Sequence, residues 1–354
     1  MKILIVKLGS IGDLVHTLPA VAAIRRQVPE AEISWVVENR AAEVLRDNPA
    51  INNLIEADTK AWRRWPMSGE TLTAPRRQFH QLRASSFDLA IDFQGLLKSA
   101  LMSRFSGARR RFGFARRSLR EPASRILGHR PIDVPLDAHI IVKNISLAAG
   151  ALGLEMDTDP STFEFPLGTK PADQREAQVA AGTQPFAILN PGGGWPTKLW
   201  SPERFGRLAD ALWTDFGLRS LVSFGPGEKG LADRVIANTG SGQAQAVSLS
   251  LKGFYELAKL AEVYIGGDTG PTHLAVAART PIVGLFGPTE WWRNGSPFPG
   301  DVCVERNDIG CRTNCHRRSC NKWICMDIEV ARVLAAVGQR LRDSGSLKAR
   351  LTVA

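Results

Sequence analysis

Residues 2–20, KILIVKLGSIGDLVHTLPA, decide the fold expected for the first half of the chain. A short β-branched run passes through a glycine-containing turn into an amphipathic segment, which predicts a buried strand over residues 3–8 and a helix over residues 14–27. Such a strand–loop–helix unit belongs to a parallel sheet, whose ligands bind beyond the carboxyl ends of the strands. Because the apolar run enters GSIGD without a small-residue cleavage site, we expect no signal peptide and a cytoplasmic protein.

The alternation of strands and helices continues outward from this unit and then restarts. In the first half, further strands are predicted over residues 33–37 and 89–92, and in the second half over residues 186–190 and 263–265. Residues 153–184 lie between the halves, are rich in Asp, Pro, Thr and Gly, and are predicted to link them. The chain has 354 residues, so we expect an α/β protein of two doubly wound domains.

The composition, 44% hydrophobic and 23% charged, is that of a globular protein and excludes a disordered one. No apolar run approaches the roughly 18 residues of a transmembrane helix. The net charge of +10 is concentrated in residues 60–130, which hold 16 Lys or Arg and 4 Asp or Glu. This stretch is either a solvated basic face or a surface for nucleic acid, acidic lipid or a phosphorylated sugar. No aromatic stacking platforms interleave the arginines, which disfavours nucleic acid.

All five cysteines lie between residues 303 and 325. Cys311, Cys315, Cys320 and Cys325 form a C-x3-C-x4-C-x4-C pattern, which differs from the paired C-x2-C spacing of common zinc sites. The pattern leaves two alternatives open, a metal-binding knuckle and a cluster of reduced thiols that closes a loop. No function is based on it, and no metal is assigned.

The first candidate loop contains Gly9, Ser10, Gly12 and Asp13. The glycines allow a sharp turn, and the amides of Ser10 to Gly12 open a helix whose N-terminus favours an anion. Asp13 is either a helix N-cap or a general base at the mouth of a cleft. His16, one turn later, is expected to pack. The glycines do not spell G-x-G-x-x-G, which disfavours a dehydrogenase-type dinucleotide site.

The second candidate loop is NPGGGWPTKLW, residues 190–200. Consecutive glycines after a strand, Gly193 and Gly194 among them, expose backbone amides suited to phosphate oxygens, and Lys198 supplies a positive charge for a pyrophosphate. The alternative is a flexible surface loop. The spacing is not that of a P-loop, so nucleoside-triphosphate hydrolysis is not expected.

The third candidate loop, GGDTGPTHLAVA at residues 266–277, is the most specific of the three. Asp268 ends a predicted strand, Thr269 and Gly270 begin a helix with exposed amides, and His273 lies on its first turn. The arrangement suits phosphate oxygens and sugar hydroxyls. The alternative is an N-capping residue followed by a packed histidine.

These stretches together resemble glycosyltransferase family 9, the bacterial ADP-heptose:lipopolysaccharide heptosyltransferases. The resemblance rests on GDLVHTLPA at 12–20, the loop with Lys198, and DTGPTHLAVA at 268–277 followed by VGLFGPTE at 283–290. Three further stretches are similar to the heptosyltransferase I branch of that family: ISWVVE at 33–38, IDFQGLLKSAL at 91–101 and REPAS at 120–124.

The resemblance implies a GT-B fold, with two Rossmann-like domains facing each other across a cleft. An acceptor-binding domain is expected over residues 1–170 and a nucleotide-sugar-binding domain over residues 171–326. Residues 327–354 are expected to form a C-terminal helix that packs back on the N-terminal domain. The implied chemistry is metal-independent transfer with inversion at the anomeric carbon, without a cofactor.

The resemblance also assigns roles to residues. Asp13 matches the catalytic base, and Arg63, Arg64 and Arg120 resemble basic residues on the acceptor side. The positions that match donor-binding residues are Gly193, Gly194, Lys198, Glu228, Leu249, Asp268, Thr269, Gly270 and His273. Among these, Glu228 is expected at the ribose and Leu249 under the adenine.

The implied reaction moves heptose from ADP-heptose to Kdo of Kdo-lipid A, at the cytoplasmic face of an anionic inner membrane. The alternatives within enzymes are another nucleotide sugar or a later core heptose, as in heptosyltransferase II. Outside enzymes, a non-catalytic sensor of sugar nucleotides would need the three loops but not Asp13.

Overall fold

A computed structural model gives the structure of two compact units, Met1–Gly168 and Thr169–Ala354. The description covers residues 1–59, 82–311, 315 and 317–345. Arg63 and Arg64 lie outside these described residues, so their expected role at the acceptor stays a prediction.

The first unit is built on a parallel six-stranded sheet in the order β3-β2-β1-β4-β5-β6. Its strands are β1 Lys2–Val6, β2 Glu32–Glu38, β3 Asn53–Ala57, β4 Leu89–Asp92, β5 Arg110–Phe114 and β6 Arg130–Ile132. Its α-helices are Ile11–Val15, Leu18–Gln27, Leu97–Phe105 and Ile140–Leu152, and its 3-10 helices are Asn39–Leu45, Arg116–Ser118, Pro122–Leu127 and Pro160–Thr162. β1 lies between β2 and β4, and its consecutive residues Ile3 to Val6 are all buried, so both faces of this strand are covered.

The second unit repeats this plan with a parallel sheet in the order β12-β11-β10-β7-β8-β9. Its strands are β7 Phe186–Asn190, β8 Arg219–Ser223, β9 Ala244–Val247, β10 Val263–Gly267, β11 Ile282–Phe286 and β12 Val302–Glu305. Its α-helices are Pro171–Ala181, Pro202–Phe216, Lys229–Ala237, Leu251–Leu260, Gly270–Ala277, Trp291–Asn294 and Val330–Asp343, and its 3-10 helices are Pro196–Lys198 and Ile324–Met326. The expected α/β class with two doubly wound sheets is confirmed.

The helix Pro202–Phe216 shows how local sequence sets these boundaries. The Ser201 side chain accepts a hydrogen bond from the Arg204 backbone N–H, proline occupies the first turn, and Gly217 ends the helix with φ of +63°. Its buried residues recur at helical spacing and pack on the sheet. Within the described residues, no helix is long and apolar enough to cross a membrane.

The helix predicted over residues 14–27 is two helices, Ile11–Val15 and Leu18–Gln27. Pro19 lies in the first turn of the second helix and cannot donate a backbone hydrogen bond, so a continuous helix is broken before it. The Thr17 hydroxyl, at the junction, donates to the Asp13 carbonyl at 2.9 Å. The first of the two helices begins three residues before the predicted start at residue 14, so Asp13 lies within it.

The last helix, Val330–Asp343, packs on elements of the second unit, and its expected packing on the first domain stays a prediction. It packs against the helix Pro202–Phe216 and strands β10, β11 and β12. The reason is an apolar stripe, which includes Val333, Val337 and Leu341 and is buried in the second unit's core.

We predict that Leu341→Ala lowers the free energy of unfolding by about 2–5 kcal/mol, because it leaves a cavity under this helix. Leu341 is 3% exposed. Urea unfolding measures the change, and Gln339→Ala, an exposed position on the same helix, is the control. Equal stability of the two variants would contradict the observed packing of the helix.

Candidate functional site

The loop after β1 holds Asp13 by a reciprocal set of hydrogen bonds. Ser10 is the N-cap of helix Ile11–Val15, and its hydroxyl accepts the Asp13 backbone N–H at 3.5 Å. The Asp13 Oδ2 atom accepts the Ser10 backbone N–H at 3.4 Å and the Ser10 hydroxyl at 3.3 Å. The N-cap is thus Ser10 and not Asp13, which is the third helical residue and completes a capping box with Ser10. The sequence predicted that the Ser10 backbone N–H is available to an external anion. In this structure the N–H donates to Asp13 instead.

The hydrogen bonds with Ser10 leave part of the Asp13 carboxylate accessible, since its side chain is 28% exposed to solvent. Gly9 permits its position, because a Cβ atom at residue 9 would lie 2.6 Å from Asp13 Oδ2. Gln94, after β4, fixes the same loop from the adjacent strand: its Oε1 atom accepts the backbone N–H groups of Leu8 at 3.1 Å and Gly9 at 2.9 Å. The loop is therefore held in a shape that leaves one face of the carboxylate accessible.

Lys7 is a buried cation beneath this loop that the sequence analysis missed. Its Nζ atom donates to the Phe93 carbonyl at 2.9 Å and lies 3.6 Å from Asp13 Oδ1. Lys7 is 4% exposed. A lysine directly after an apolar strand that is central to a sheet was the available signal, because a buried lysine requires a partner.

The charge state of Asp13 follows from these neighbours. Burial by itself would raise the pKa of the Asp13 carboxyl, but the positive charges of Lys7 and Arg120 and the hydrogen bonds from Ser10 outweigh it and lower the pKa. Asp13 is therefore a carboxylate at neutral pH and can accept a proton. The structure brings Arg120, predicted from sequence, within electrostatic range of Asp13.

In the second unit, Lys198, Asp268 and His273 form a compact polar cluster at the carboxyl ends of β7 and β10. Lys198 Nζ lies 2.6 Å from Asp268 Oδ2, and His273 Nε2 lies 3.2 Å from Asp268 Oδ1. Lys198 Nζ also lies 4.4 Å from the centre of the Trp195 ring. The second and third candidate loops thus meet, because β7 and β10 are neighbours in the sheet.

The Asp268 carboxyl is held in its ionised form. Burial would raise its pKa, but the hydrogen bond from His273 and the charge of Lys198 outweigh burial and hold the pKa well below its usual range. Because an ionised carboxylate is only an acceptor, His273 donates through Nε2–H. The carboxylate retains further acceptor capacity, which suits hydroxyl groups.

Glu228 joins the glycine loop to the turn after β8. Its Oε1 atom accepts the Gly193 backbone N–H at 3.0 Å, and its Oε2 atom accepts the Gly225 backbone N–H at 3.0 Å. The Gly193 amide, expected to meet a phosphate, therefore meets a carboxylate in this structure. Gly192 makes the contact possible, since a Cβ atom there would lie 2.4 Å from Glu228 Oε2. A Cβ atom at Gly194 would have no heavy atom within 4 Å, so that backbone is open.

The start of helix Gly270–Ala277 is anchored through Thr269. The Thr269 hydroxyl donates to Asn190 Oδ1 at 3.3 Å, and Asn190 in turn donates to the Ser223 hydroxyl at 3.0 Å. The Thr269 side chain does not cap the helix. Binding of a ligand by the first-turn amides at Thr269 and Gly270 stays a prediction. Leu249 follows β9 and is half-buried.

His16 and the five cysteines are further residues for which the sequence offered alternatives. His16 is buried and packs edge-on against His139, as expected. The five cysteines are free thiols. Among residues 1–59, 82–311, 315 and 317–345, no three His, Cys, Asp or Glu side chains are grouped to hold a metal ion.

The chain matches the sequence profile of glycosyltransferase family 9 (heptosyltransferase) over residues 76–324. It is 31% identical over 321 residues to lipopolysaccharide heptosyltransferase 1 of Pseudomonas aeruginosa, covering 86% of this chain and 87% of that protein. It is 25% identical over 351 residues to an Escherichia coli lipopolysaccharide heptosyltransferase 3, covering 94% of this chain and 97% of that protein.

Among solved structures, the chain resembles the E. coli heptosyltransferase WaaC with ADP-2-deoxy-2-fluoro heptose. The TM-score is 0.74 at 23% identity, covering 97% of this chain and all of that one. This likeness confirms the expected GT-B fold class.

We predict that Lys7→Met raises the pKa of the Asp13 carboxyl, because it removes the nearest positive charge. Asp13 should then become protonated at higher pH than in the unaltered protein. Carbon-13 NMR titration of labelled aspartate carboxyls measures the change, with Lys2→Met at the opposite end of β1 as the control. A pKa unchanged by Lys7→Met, or raised equally by Lys2→Met, would contradict the assigned role of Lys7.

Proposed function

The chain belongs to glycosyltransferase family 9 (heptosyltransferase), and from this premise we propose that it transfers heptose from ADP-heptose to Kdo of Kdo-lipid A. As a member of that family it is a glycosyltransferase. The finer assignment is supported by similarity to lipopolysaccharide heptosyltransferase 1 and to a structure containing an ADP-heptose analogue. The observation that carries the proposal is the lysine-paired, partly exposed Asp13 carboxylate, together with the Lys198–Asp268–His273 cluster.

In the proposed reaction Asp13 is the general base. The acceptor hydroxyl oxygen forms a bond to the anomeric carbon while its proton passes to the Asp13 carboxylate. The bond from the anomeric carbon to the pyrophosphate oxygen breaks, and ADP leaves with the electron pair. A single attack from the face opposite the leaving group inverts the anomeric configuration, and no cofactor is required.

Lys7 affects this reaction through the pKa of Asp13. By lowering the pKa of Asp13, it keeps the base ionised over a wider range of pH. A lower pKa also makes the carboxylate a weaker base. Proton transfer to such a base is favourable only once the attacking oxygen has lost electron density to the anomeric carbon. We therefore propose that the leaving group departs ahead of proton transfer.

Lys198 and the start of helix Gly270–Ala277 stabilise the leaving ADP. Negative charge grows on the pyrophosphate as the bond breaks, and a fixed ammonium group and helix-terminal amides oppose that charge without reorganising. Asp268, which accepts from Lys198 and His273, has acceptor capacity left for the heptose hydroxyls. Glu228 and Leu249 are proposed for the ribose and the adenine.

Arg120 is proposed to recognise the acceptor. Its charge reaches Asp13, and a guanidinium group offers the paired donors that a Kdo carboxylate accepts. Arg63 and Arg64 are proposed for the same acceptor from the sequence resemblance alone. The acceptor lipid places the working enzyme at the cytoplasmic face of an anionic inner membrane.

A second candidate is transfer of a later core heptose or use of another nucleotide sugar. The similarity to an E. coli lipopolysaccharide heptosyltransferase 3 supports it. Assays with acceptors that lack or already carry the first heptose distinguish the two candidates.

We predict that Asp13→Ala lowers kcat about 10²–10⁴-fold, because the attacking hydroxyl loses its base. ADP binding should be unchanged, since Asp13 belongs to the acceptor side of the reaction. Transfer assays and calorimetric titration with ADP give the two readouts, with Glu30→Gln as an exposed acidic control. Full activity of Asp13→Ala would rule out Asp13 as the base. Absence of transfer by the unaltered protein, with ADP still bound, would favour a non-catalytic sensor of sugar nucleotides.

We predict that Lys198→Ala weakens ADP binding by about ten- to hundredfold, the loss expected for one charge-assisted hydrogen bond. Acceptor binding should change little. The control is Lys229→Ala, an exposed lysine that pairs with Asp233 in the same unit. If ADP binds Lys198→Ala as tightly as it binds the control, the pyrophosphate assignment is wrong.

A further inference from the structure

The helix Leu97–Phe105 in the first unit carries an exposed apolar stripe. Leu97, Leu101 and Phe105 recur every four residues and are 42%, 38% and 48% exposed. The opposite side of the helix, which includes Ala100 and Met102, is buried against β1 and β4. Successive turns of the helix therefore each direct one large apolar side chain away from the core.

A second element extends this stripe. The 3-10 helix Pro122–Leu127 packs against the helix Leu97–Phe105. Its Ile126 side chain is 85% exposed, while Ser124 is fully buried. The apolar patch, defined here as Leu97, Leu101, Phe105 and Ile126, thus comes from two elements that are packed together. A concentration of exposed large apolar side chains on two packed elements is typical of an interaction site.

The chain segment that contains the apolar patch is strongly basic. Residues 96–130 contain ten Lys or Arg and a single acidic residue, Glu121. The Glu121 carboxylate accepts the Leu97 backbone N–H at 2.8 Å. The exposed arginines of this stretch are Arg104, Arg109, Arg110, Arg116, Arg117, Arg120, Arg125 and Arg130. Burial, and then the positive charge of the neighbouring Arg104, lower the pKa of the Arg111 guanidinium. A dense anionic surface would relieve this repulsion.

The patch is tied to the Asp13 loop by a short chain of contacts. The Glu121 backbone N–H donates to the Gly95 carbonyl at 3.2 Å, and the neighbouring Gln94 holds the Gly9 amide. Arg120, next to Glu121, is the residue whose charge reaches Asp13. A surface that binds at the patch is therefore presented next to the proposed acceptor site.

We propose that this patch docks the enzyme onto an anionic lipid bilayer, with Leu97, Leu101, Phe105 and Ile126 entering the interface and the surrounding arginines contacting the headgroups. An apolar stripe flanked by basic residues is the chemistry that binds such interfaces. The choice of a bilayer over another anionic partner rests on the proposed function, since a lipid-anchored acceptor must be reached at its membrane. Docking would bring the acceptor sugar to Asp13 and leave the lipid in the bilayer.

The test measures binding of the full-length protein to vesicles without nucleotide or acceptor, so it does not depend on catalysis. We expect binding to phosphatidylethanolamine–phosphatidylglycerol vesicles, little binding to phosphatidylcholine alone, and a decrease with salt. The double variant Leu101→Gln with Ile126→Gln should bind at least about tenfold more weakly, because it removes apolar burial. Arg116→Gln with Arg117→Gln should weaken binding about tenfold or more, since each basic residue contributes about fivefold.

The matched control carries Leu260→Gln and Val179→Gln, which alter residues of the second unit that are 49% and 85% exposed. It should bind vesicles as tightly as the unaltered protein does.

Activity assays separate docking from catalysis. With a lipid-free Kdo acceptor, the patch variants should turn over at the rate of the unaltered protein, and with a vesicle-embedded acceptor they should turn over more slowly. Vesicle binding with no transfer to either acceptor would reject the proposed function and leave docking intact.

Three outcomes would overturn the proposal. The first is that the patch variants bind vesicles as tightly as the control does, and the second is that they lose activity equally on both acceptors. The third is that they change the molecular mass of the protein in solution without changing vesicle binding. The last result, read by sedimentation velocity, would assign the patch to a second copy of the chain.

Discussion

Each sheet places one lysine against one aspartate beyond the carboxyl ends of its strands, and the candidate site depends on this pairing. Lys7 contacts Asp13 in the first unit, and Lys198 contacts Asp268 in the second. Removing one partner of a buried pair leaves an uncompensated charge, which costs about 3–5 kcal/mol. The pairing therefore keeps both aspartates ionised and fixes both lysines where loops from neighbouring strands meet.

The fold and much of the site could be predicted from sequence because they follow from local patterns. The strand–loop–helix units at residues 2–20 and 186–216 determine a parallel sheet, and parallel strands bring Lys198 and Asp268 to one edge. The partners of those loops could not be predicted. Lys7 donates to the Phe93 carbonyl beyond the adjacent strand β4, and Glu228 reaches Gly193 from another strand, so both contacts depend on tertiary packing that no spacing encodes.

Several groups proposed to bind ligands already have partners within the chain. Gly193 donates to Glu228, Lys198 to Asp268, and the Ser10 amide to Asp13. A ligand must replace these contacts, so only the interaction free energy in excess of theirs contributes to affinity.

The cysteine-bearing segment has a structural role next to one of these loops. The Arg317 carbonyl accepts a hydrogen bond from the Thr197 hydroxyl at 2.6 Å, and Trp323 donates to the Thr197 carbonyl at 3.0 Å. The segment thus braces the loop that carries Lys198.

The central claim is that a carboxylate base directs one displacement at the anomeric carbon. The most direct measurement is the anomeric configuration of the heptose in the isolated product, determined by one-bond carbon–proton coupling and compared with that of the donor. The account predicts the opposite configuration. Retention of the donor's configuration is incompatible with a single attack from the face opposite the leaving group and would contradict the displacement proposed for Asp13.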